Sequence, residues 1–172
     1  MRSISKPQPP VQFSDTETQS TNILGPVFFT LSNLDVEGMA DIPELPTQIA
    51  PGQSPYIVGS DEPFQLSLEI AFNSTPLTDL LLCLGMRLEV HFALEGLGGR
   101  AAEVDLEARE ITRKGVFAYT VTYEGTPEAA GLTPGLYKVA AVVTIGPAEN
   151  PCSQAVLGYG YIAKRYLQVY AS

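Results

Sequence analysis

Residues 64–72 read FQLSLEIAF, and every second position in this stretch holds a large apolar side chain. Successive side chains of a β-strand point to opposite faces of the sheet. A period of two therefore predicts a strand with one face in a hydrophobic core. An amphipathic helix would instead place its apolar residues three and four positions apart. The apolar positions are Phe64, Leu66, Leu68, Ile70 and Phe72.

The same period of two recurs along the chain, with turn signals between the runs. Gly96-Leu97-Gly98-Gly99 supplies glycines for a tight connection, and Lys114-Gly115 marks the next turn. Helix is predicted only as single turns near Leu77–Leu81 and Pro127–Ala130, each too short to be stable alone. We therefore expect an all-β fold, an antiparallel sandwich of about seven strands. The predicted strands cover residues 23–31, 64–72, 82–94, 104–108, 117–123, 137–145 and 159–170.

The length of 172 residues fits one domain with a tail, because single domains commonly hold roughly 100–200 residues. Residues 1–22 combine prolines with polar and acidic residues and show no hydrophobic period. This composition predicts a disordered or extended N-terminal arm. Residues 23–172 are predicted to form a single sandwich domain. Five prolines between residues 41 and 63 predict an extended connector within it, because proline disfavours helix.

The charge balance disfavours several classes of partner. The chain carries 10 Lys and Arg against 19 Asp and Glu, a net charge of -9, which repels the phosphates of nucleic acids. The same charge opposes docking on anionic membranes, and no apolar run approaches the ~20 residues of a membrane-spanning helix. The first residues, MRSISKP, lack the apolar stretch of a secretory signal. We therefore expect a soluble cytoplasmic protein that binds no nucleic acid and does not insert into membranes.

Residues 131–139 read GLTPGLYKV. This segment resembles the Leu-x-Pro-Gly…Tyr-x-Val stretch of fibronectin type III domains and, more loosely, the tyrosine corner of immunoglobulin-like domains. The resemblance implies an immunoglobulin-like sandwich in which the Tyr137 hydroxyl hydrogen-bonds the backbone just upstream. It also implies that Leu132 packs beneath the loop and that Pro134 and Gly135 form the turn. Unlike many such domains, the chain contains no tryptophan.

The residues that usually carry catalysis or bind metals are sparse. The single histidine, His91, lies on the polar side of its predicted strand, where we expect it to be solvated or salt-bridged. Cys83 is predicted on the same side of that strand but eight residues away, which is beyond hydrogen-bond reach. Cys83, Cys152 and His91 lack the paired spacing of a zinc site, and no Gly-x-Ser-x-Gly elbow is present. We therefore expect no enzymatic activity, no catalytic residue, no metal site and no cofactor.

Three acids alternate along the predicted strand 104–108 and its flanks. Glu103, Asp105 and Glu107 project from the same side, and alternate residues of a strand lie about 7 Å apart. This spacing favours a solvated acidic stripe over a calcium site. Arg87 and Arg109 are predicted to balance the stripe across the sheet.

Tyrosines cluster near the C-terminus and are the best candidates for a binding surface. Tyrosine is favoured at interfaces because it buries a large rigid ring and keeps a polar hydroxyl. We predict that Tyr159, Tyr161 and Tyr166 contribute to binding. A β-bulge near Ala163 is also predicted, because continuous alternation would place Arg165 inside the core.

These observations favour a non-enzymatic structural or protein-interaction module that associates with another protein or with itself through its arm or an edge strand. An alternative is a carbohydrate- or small-ligand-binding sandwich with the tyrosines as its platform. The absence of tryptophan disfavours that alternative. A third hypothesis is an enzyme with a dispersed carboxylate site, but no pair of acids stands out.

Overall fold

The computed structural model describes residues 18–20, 22–24, 26–39, 57–98, 102–149 and 156–172. Residues 1–17 of the predicted arm, residues 41–56 of the predicted connector and Cys152 lie outside them. The described residues form ten β-strands and one α-helix. In chain order these are β1 (Thr18–Ser20), β2 (Asn22–Leu24), β3 (Val27–Gly38), β4 (Ile57–Gly59), β5 (Phe64–Phe72), α1 (Pro76–Leu84), β6 (Met86–Leu97), β7 (Glu103–Ile111), β8 (Ala118–Gly125), β9 (Gly135–Pro147) and β10 (Gly158–Tyr170).

The strands are arranged in two sheets, and the predicted all-β class is confirmed. The larger sheet has the order β1-β10-β9-β6-β7, and the smaller sheet has the order β2-β3-β5-β8. Strand β4 joins the larger sheet by pairing in parallel with the end of β10. The other pairings are antiparallel. Among the seven strands of eight residues or more, the chain changes sheet between β5 and β6, between β7 and β8, and between β8 and β9; the short strands β1 and β4 also lie in the larger sheet, whereas β2 lies in the smaller one.

A hydrophobic core fills the space between the two sheets. Every second residue of β5 is buried, as its alternation predicts, and the same holds from Met86 to Leu94 in β6. Strands β3, β9 and β10 add fully buried side chains such as Phe29, Tyr137 and Leu167. Each fully buried Leu, Ile or Phe stabilises the fold by about 1.5–3 kcal/mol, so this shared core holds the two sheets together.

One predicted strand is partly wrong, because Leu82, Cys83 and Leu84 belong to α1. Thr75 caps this helix at its N-terminus, and its hydroxyl accepts a hydrogen bond from the Thr78 N–H at 3.2 Å. Helix near Leu77–Leu81 is confirmed, but it is nine residues long and not the single turn that was predicted. Tertiary contacts stabilise a helix of this length that would be marginal alone.

The helix ends where a buried threonine ties it to the end of β7. The Thr112 hydroxyl donates to the Leu82 carbonyl at 3.0 Å and accepts from the Met86 N–H at 2.7 Å. Gly85 lies between these two residues with φ +87°, a conformation that favours glycine. The chain can therefore turn from α1 directly into β6.

Three short strands account for the difference between about seven predicted strands and ten described ones. Strands β1, β2 and β4 have three residues each, too few to show an alternating pattern in sequence. The other seven have eight residues or more. Part of the predicted arm, Thr18–Ser20, is extended and pairs with β10 of its own chain. Ile57–Gly59, at the end of the predicted connector, also pairs with β10.

Two bulges lie opposite one another in β3 and β10. The register of β10 shifts between Ala163 and Arg165, which confirms the predicted bulge, and Lys164 has φ +76°. The bulge does not turn Arg165 to solvent, however. Its Nε donates to the Leu34 carbonyl at 2.7 Å, beside the bulge of β3 at Asn33. The guanidinium thus satisfies a carbonyl that the irregular strand leaves available.

Two buried tyrosines hydrogen-bond the backbone of adjacent loops. Tyr137, at the start of β9, is fully buried and donates from its hydroxyl to the Thr133 carbonyl at 2.6 Å. Leu132, in the same loop, is also buried. Tyr119 plays a comparable part in β8, where its hydroxyl accepts from the Arg113 N–H and donates to the Val116 carbonyl, both at 2.8 Å. Burial raises the pKa of Tyr119.

We predict that Tyr137→Phe lowers the free energy of unfolding by about 1–2 kcal/mol, because it leaves the Thr133 carbonyl without its buried donor. Urea denaturation followed by circular dichroism measures this change. Tyr161→Phe, on the outer side of β10, is the matched control and is expected to change the value by only a few tenths of a kcal/mol. Equal losses in the two variants would contradict a special role for Tyr137.

Candidate functional site

The outer face of the larger sheet brings the predicted tyrosines and the single histidine into register. Tyr161 of β10 lies opposite Val142 of β9, and Val142 lies opposite His91 of β6. His91 in turn lies opposite Glu107 of β7. These four side chains therefore form one row across the sheet, with the aromatic ring at one end and the carboxylate at the other.

A second row runs parallel to the first. Tyr159 lies opposite Thr144, Thr144 opposite Glu89, and Glu89 opposite Arg109. Partners on the same face of neighbouring antiparallel strands have Cβ atoms about 4.5–5.5 Å apart, so the two rows form a continuous surface. The β10 half of this surface is aromatic and the half on β6 and β7 is charged.

We refer to Tyr159, Tyr161 and Tyr166 as the tyrosine strip. Tyr159 is 59% exposed, and the other two rings are half-buried. Val142 beside them is 37% exposed. The tyrosine strip thus presents aromatic area to solvent.

Gly160 fixes the position of the tyrosine strip against the core. It lies between Tyr159 and Tyr161 and faces inward, where a Cβ would come within 2.7 Å of Phe29 and 2.8 Å of Leu31. No side chain fits there, so β10 can approach β3 closely. The backbone between Tyr159 and Tyr161 therefore packs directly against Phe29 and Leu31 of the core.

The charged half of the surface is an ionic cluster formed by Arg87, Glu89, His91, Glu107 and Arg109. The Glu89 carboxylate is at its centre, 2.8 Å from His91 Nε2, 3.3 Å from Arg109 Nε and 3.4 Å from Arg87 Nε. Arg109 also pairs with Glu107. The predicted salt-bridged environment of His91 is present. Arg109 balances Glu107 of the predicted stripe, but along the same strand and not across the sheet, and Arg87 pairs with Glu89, which is not part of the stripe.

The electrostatics of the ionic cluster favour the charged form of Glu89. The hydrogen bond with His91 lowers the pKa of the Glu89 carboxyl, and Arg109 and Arg87 act in the same direction. Partial burial of the carboxylate opposes this effect. The attractive interactions prevail, and the pKa of Glu89 is lower than its ordinary value.

Three members of the ionic cluster have the chemistry to hold a cation. One ligand atom each from Glu89, His91 and Glu107 lie within 4.8 Å of one another. The Arg109 guanidinium already pairs with both carboxylates, so a divalent ion would have to displace it. We interpret the arrangement as an ion-pair network.

The sequence did not predict this grouping. The three acids of the predicted stripe are separated by register, since Glu103 lies opposite Glu95 and Asp105 opposite Ala93, whereas Glu107 lies opposite His91. The group is set by the register of the β6–β7 hairpin, which the alternating pattern alone does not determine. The placement of Cys83 on the same side of a strand as His91 is wrong, because Cys83 is exposed on α1.

A second exposed surface lies at the end of the molecule where α1 is found. Leu77, Leu80 and Leu84 project into solvent, and Leu84 is 72% exposed. Ile111 is also exposed, and its Cγ2 lies 3.9 Å from the position of a Cβ on Gly85. Contiguous apolar exposure of this kind is typical of interaction surfaces.

Comparisons with known proteins identify no relative. No family model, no curated protein and no solved structure matches this chain. Among the described residues, no helix has the length and apolar character needed to cross a membrane.

We predict that Glu89→Gln makes the free energy of unfolding less dependent on pH in the acid range. Stability contributed by Glu89 is complete above the ordinary carboxyl pKa of about 4.3, and it is lost as the pH falls through the lower folded-state pKa. Urea denaturation between about pH 6 and about pH 3 measures the effect as the difference between the native protein and the variant. Glu103→Gln on the same hairpin is the control. An unchanged pH profile for Glu89→Gln would contradict the central position of Glu89.

Proposed function

We propose that the two sheets form an immunoglobulin-like sandwich of the fibronectin type III kind. Immunoglobulin-like domains place the strands A, B and E in one sheet and C, F and G in the other. If β3 is taken as A, the smaller sheet contains A-B-E as β3-β5-β8, and the larger contains G-F-C as β10-β9-β6. The seven long strands account for this plan, with β7 as an additional strand beside C.

The Tyr137 hydrogen bond supports the same assignment. In immunoglobulin-like domains the corner tyrosine stands near the start of strand F and bonds the backbone a few residues upstream. Tyr137 is the third residue of β9, the strand that corresponds to F, and it bonds Thr133 four residues upstream. Leu132 and Gly135 complete the corner on this interpretation.

We infer that the protein is a non-enzymatic protein-interaction module that binds through the outer face of its larger sheet. The observation that carries this inference is the register that joins the tyrosine strip to the ionic cluster. Protein interfaces are enriched in Tyr and Arg, and their central contacts are often aromatic with a charged or polar rim. The outer face has this composition on a rigid sheet.

Carbohydrate or small-ligand binding is the second candidate function. The exposed ring of Tyr159 lies in the same row as the Glu89 carboxylate, and a sugar could stack on the ring while its hydroxyls meet a carboxylate. Glu89 is already bonded to His91, Arg87 and Arg109, which leaves it less free to accept further hydrogen bonds. The protein-interaction function is therefore favoured.

We predict that a photoreactive benzoylphenylalanine in place of Tyr159 forms a covalent adduct with a partner protein in the source cells. Mass spectrometry identifies the partner. Val142→Glu, which adds a charge at an exposed neighbouring position, should abolish the adduct without lowering the urea midpoint.

The same photoreactive residue at exposed Ser74, in the loop before α1, is the matched control and should not give this adduct. The absence of any protein adduct from both Tyr159 and Tyr161 positions would contradict the proposal. Binding on a glycan array that is lost in Tyr159→Ala would favour the carbohydrate alternative instead.

A further inference from the structure

The sheets of this protein have edges that differ in how they are protected. A strand at an edge has backbone N–H and C=O groups that another chain can pair with, and natural proteins block such edges with charges, bulges or covering segments. At β7, the edge of the larger sheet, the outward side chains include Glu103, Asp105, Glu107 and Arg109. Charges therefore protect this edge.

Two further edges are covered by short strands. On the open side of β10, β1 pairs at Gly160 to Ile162 and β4 pairs at Gln168 to Tyr170. On the open side of β3, β2 pairs beside Phe28. Both β10 and β3 also contain a bulge, which disturbs a regular ladder.

Strand β8 has neither a bulge nor a covering strand within the described part of the chain, and it carries a single charge. It pairs with β5 on one side, and no described strand pairs with its other side. The pairing with β5 runs without a register shift from Ala118 to Gly125. Its sequence AYTVTYEG contains no proline or lysine, and Glu124 is its only charged residue. A regular, eight-residue, nearly uncharged edge strand is a ready template for pairing.

We propose that β8 pairs with β8 of a second copy of this chain, in antiparallel orientation, to give a twofold-symmetric dimer. This contact lies in the smaller sheet, so it is a second interaction site that goes beyond the outer face of the larger sheet proposed above. The two smaller sheets then join into one continuous sheet. The partner is a second copy because an isologous contact requires a strand that is complementary to itself, and β8 meets that requirement.

The register follows from the burial pattern and the charge of β8. Tyr119, Val121 and Tyr123 point toward the core. In a joined sheet these core-facing residues must lie opposite core-facing residues of the second copy, and the solvent-facing residues opposite solvent-facing ones. An axis at Val121 uses the whole length from Ala118 to Glu124. With this axis, Tyr119 of one copy lies opposite Tyr123 of the other, which is a favourable aromatic pair.

The outward side chains are also compatible with this register. Thr120 lies opposite the threonine at position 122 of the second copy, and threonine pairs across strands are stabilising. Glu124 lies opposite an alanine at position 118, so no like charges meet. The chain as a whole carries a net charge of -9, which opposes self-association, and β8 is an edge where that repulsion is locally absent.

Sedimentation velocity over a range of protein concentrations tests the proposal on the full chain. We expect a reversible dimer for the native protein and a monomer for the double variant Thr120→Lys/Thr122→Lys. Both threonines are exposed, so the fold should tolerate the change, and urea denaturation verifies this. The double variant Thr30→Lys/Ser32→Lys adds the same charge to the outer face of the same sheet on β3 and should still dimerise.

Disulfide trapping tests the register. In chains with Cys83→Ser and Cys152→Ser, a mixture of Thr120→Cys and Thr122→Cys chains should cross-link under mild oxidation. Each of these chains alone should cross-link much less, because neither position faces itself. Equal cross-linking of all three samples would overturn the register.

A native protein that stays monomeric at all concentrations overturns the β8 proposal. If the Tyr159 adduct with a different protein persists in that case, the proposed function stands. If the dimer forms but no position of the tyrosine strip yields an adduct, the outer-face function fails and the edge contact stands.

Discussion

The layer of apolar side chains between the two sheets is the constraint on which the rest of this structure depends. Strand β5 lies inside the smaller sheet, with β3 and β8 as neighbours. Its buried side chains point toward the larger sheet. Because strand side chains alternate, burial of one face leaves the opposite face to solvent. The outer faces and the edges of the sheets, together with the exposed side of α1, are therefore the surfaces that remain available for function.

These surfaces differ in the side chains that their strands expose. The tyrosine strip and the ionic cluster occupy one outer face, where the backbone beneath them is fixed by Gly160 and by the register of four strands. The edge at β8 is regular and nearly uncharged, while the other edges are charged or covered. A face with aromatic and ionic residues and an unprotected edge both fit a protein that acts by contact with other proteins.

The alternating pattern predicted the long strands because it depends only on neighbouring residues of the sequence. It gave a wrong prediction at residues 82–84, which are helical. Leu82 and Leu84 alternate with Cys83, yet Thr75, Pro76 and Gly85 are helix start and stop signals around the same residues. The pairing of Glu107 with His91 could not be predicted, since it depends on the hairpin register across the segment 98–102. The position of the Arg165 side chain likewise depends on a tertiary contact, its hydrogen bond to the Leu34 carbonyl.

Residue-resolved amide hydrogen exchange by NMR on dilute, monomeric protein tests the central arrangement most directly. A strand with neighbours on both sides has all its amides bonded, whereas an edge strand has only alternate amides bonded. The structure predicts slow exchange at successive residues of β5 and slow exchange at only every second residue of β8. Uniform protection along β8, or rapid exchange in β5, would contradict a sandwich with β5 inside and β8 at its open edge.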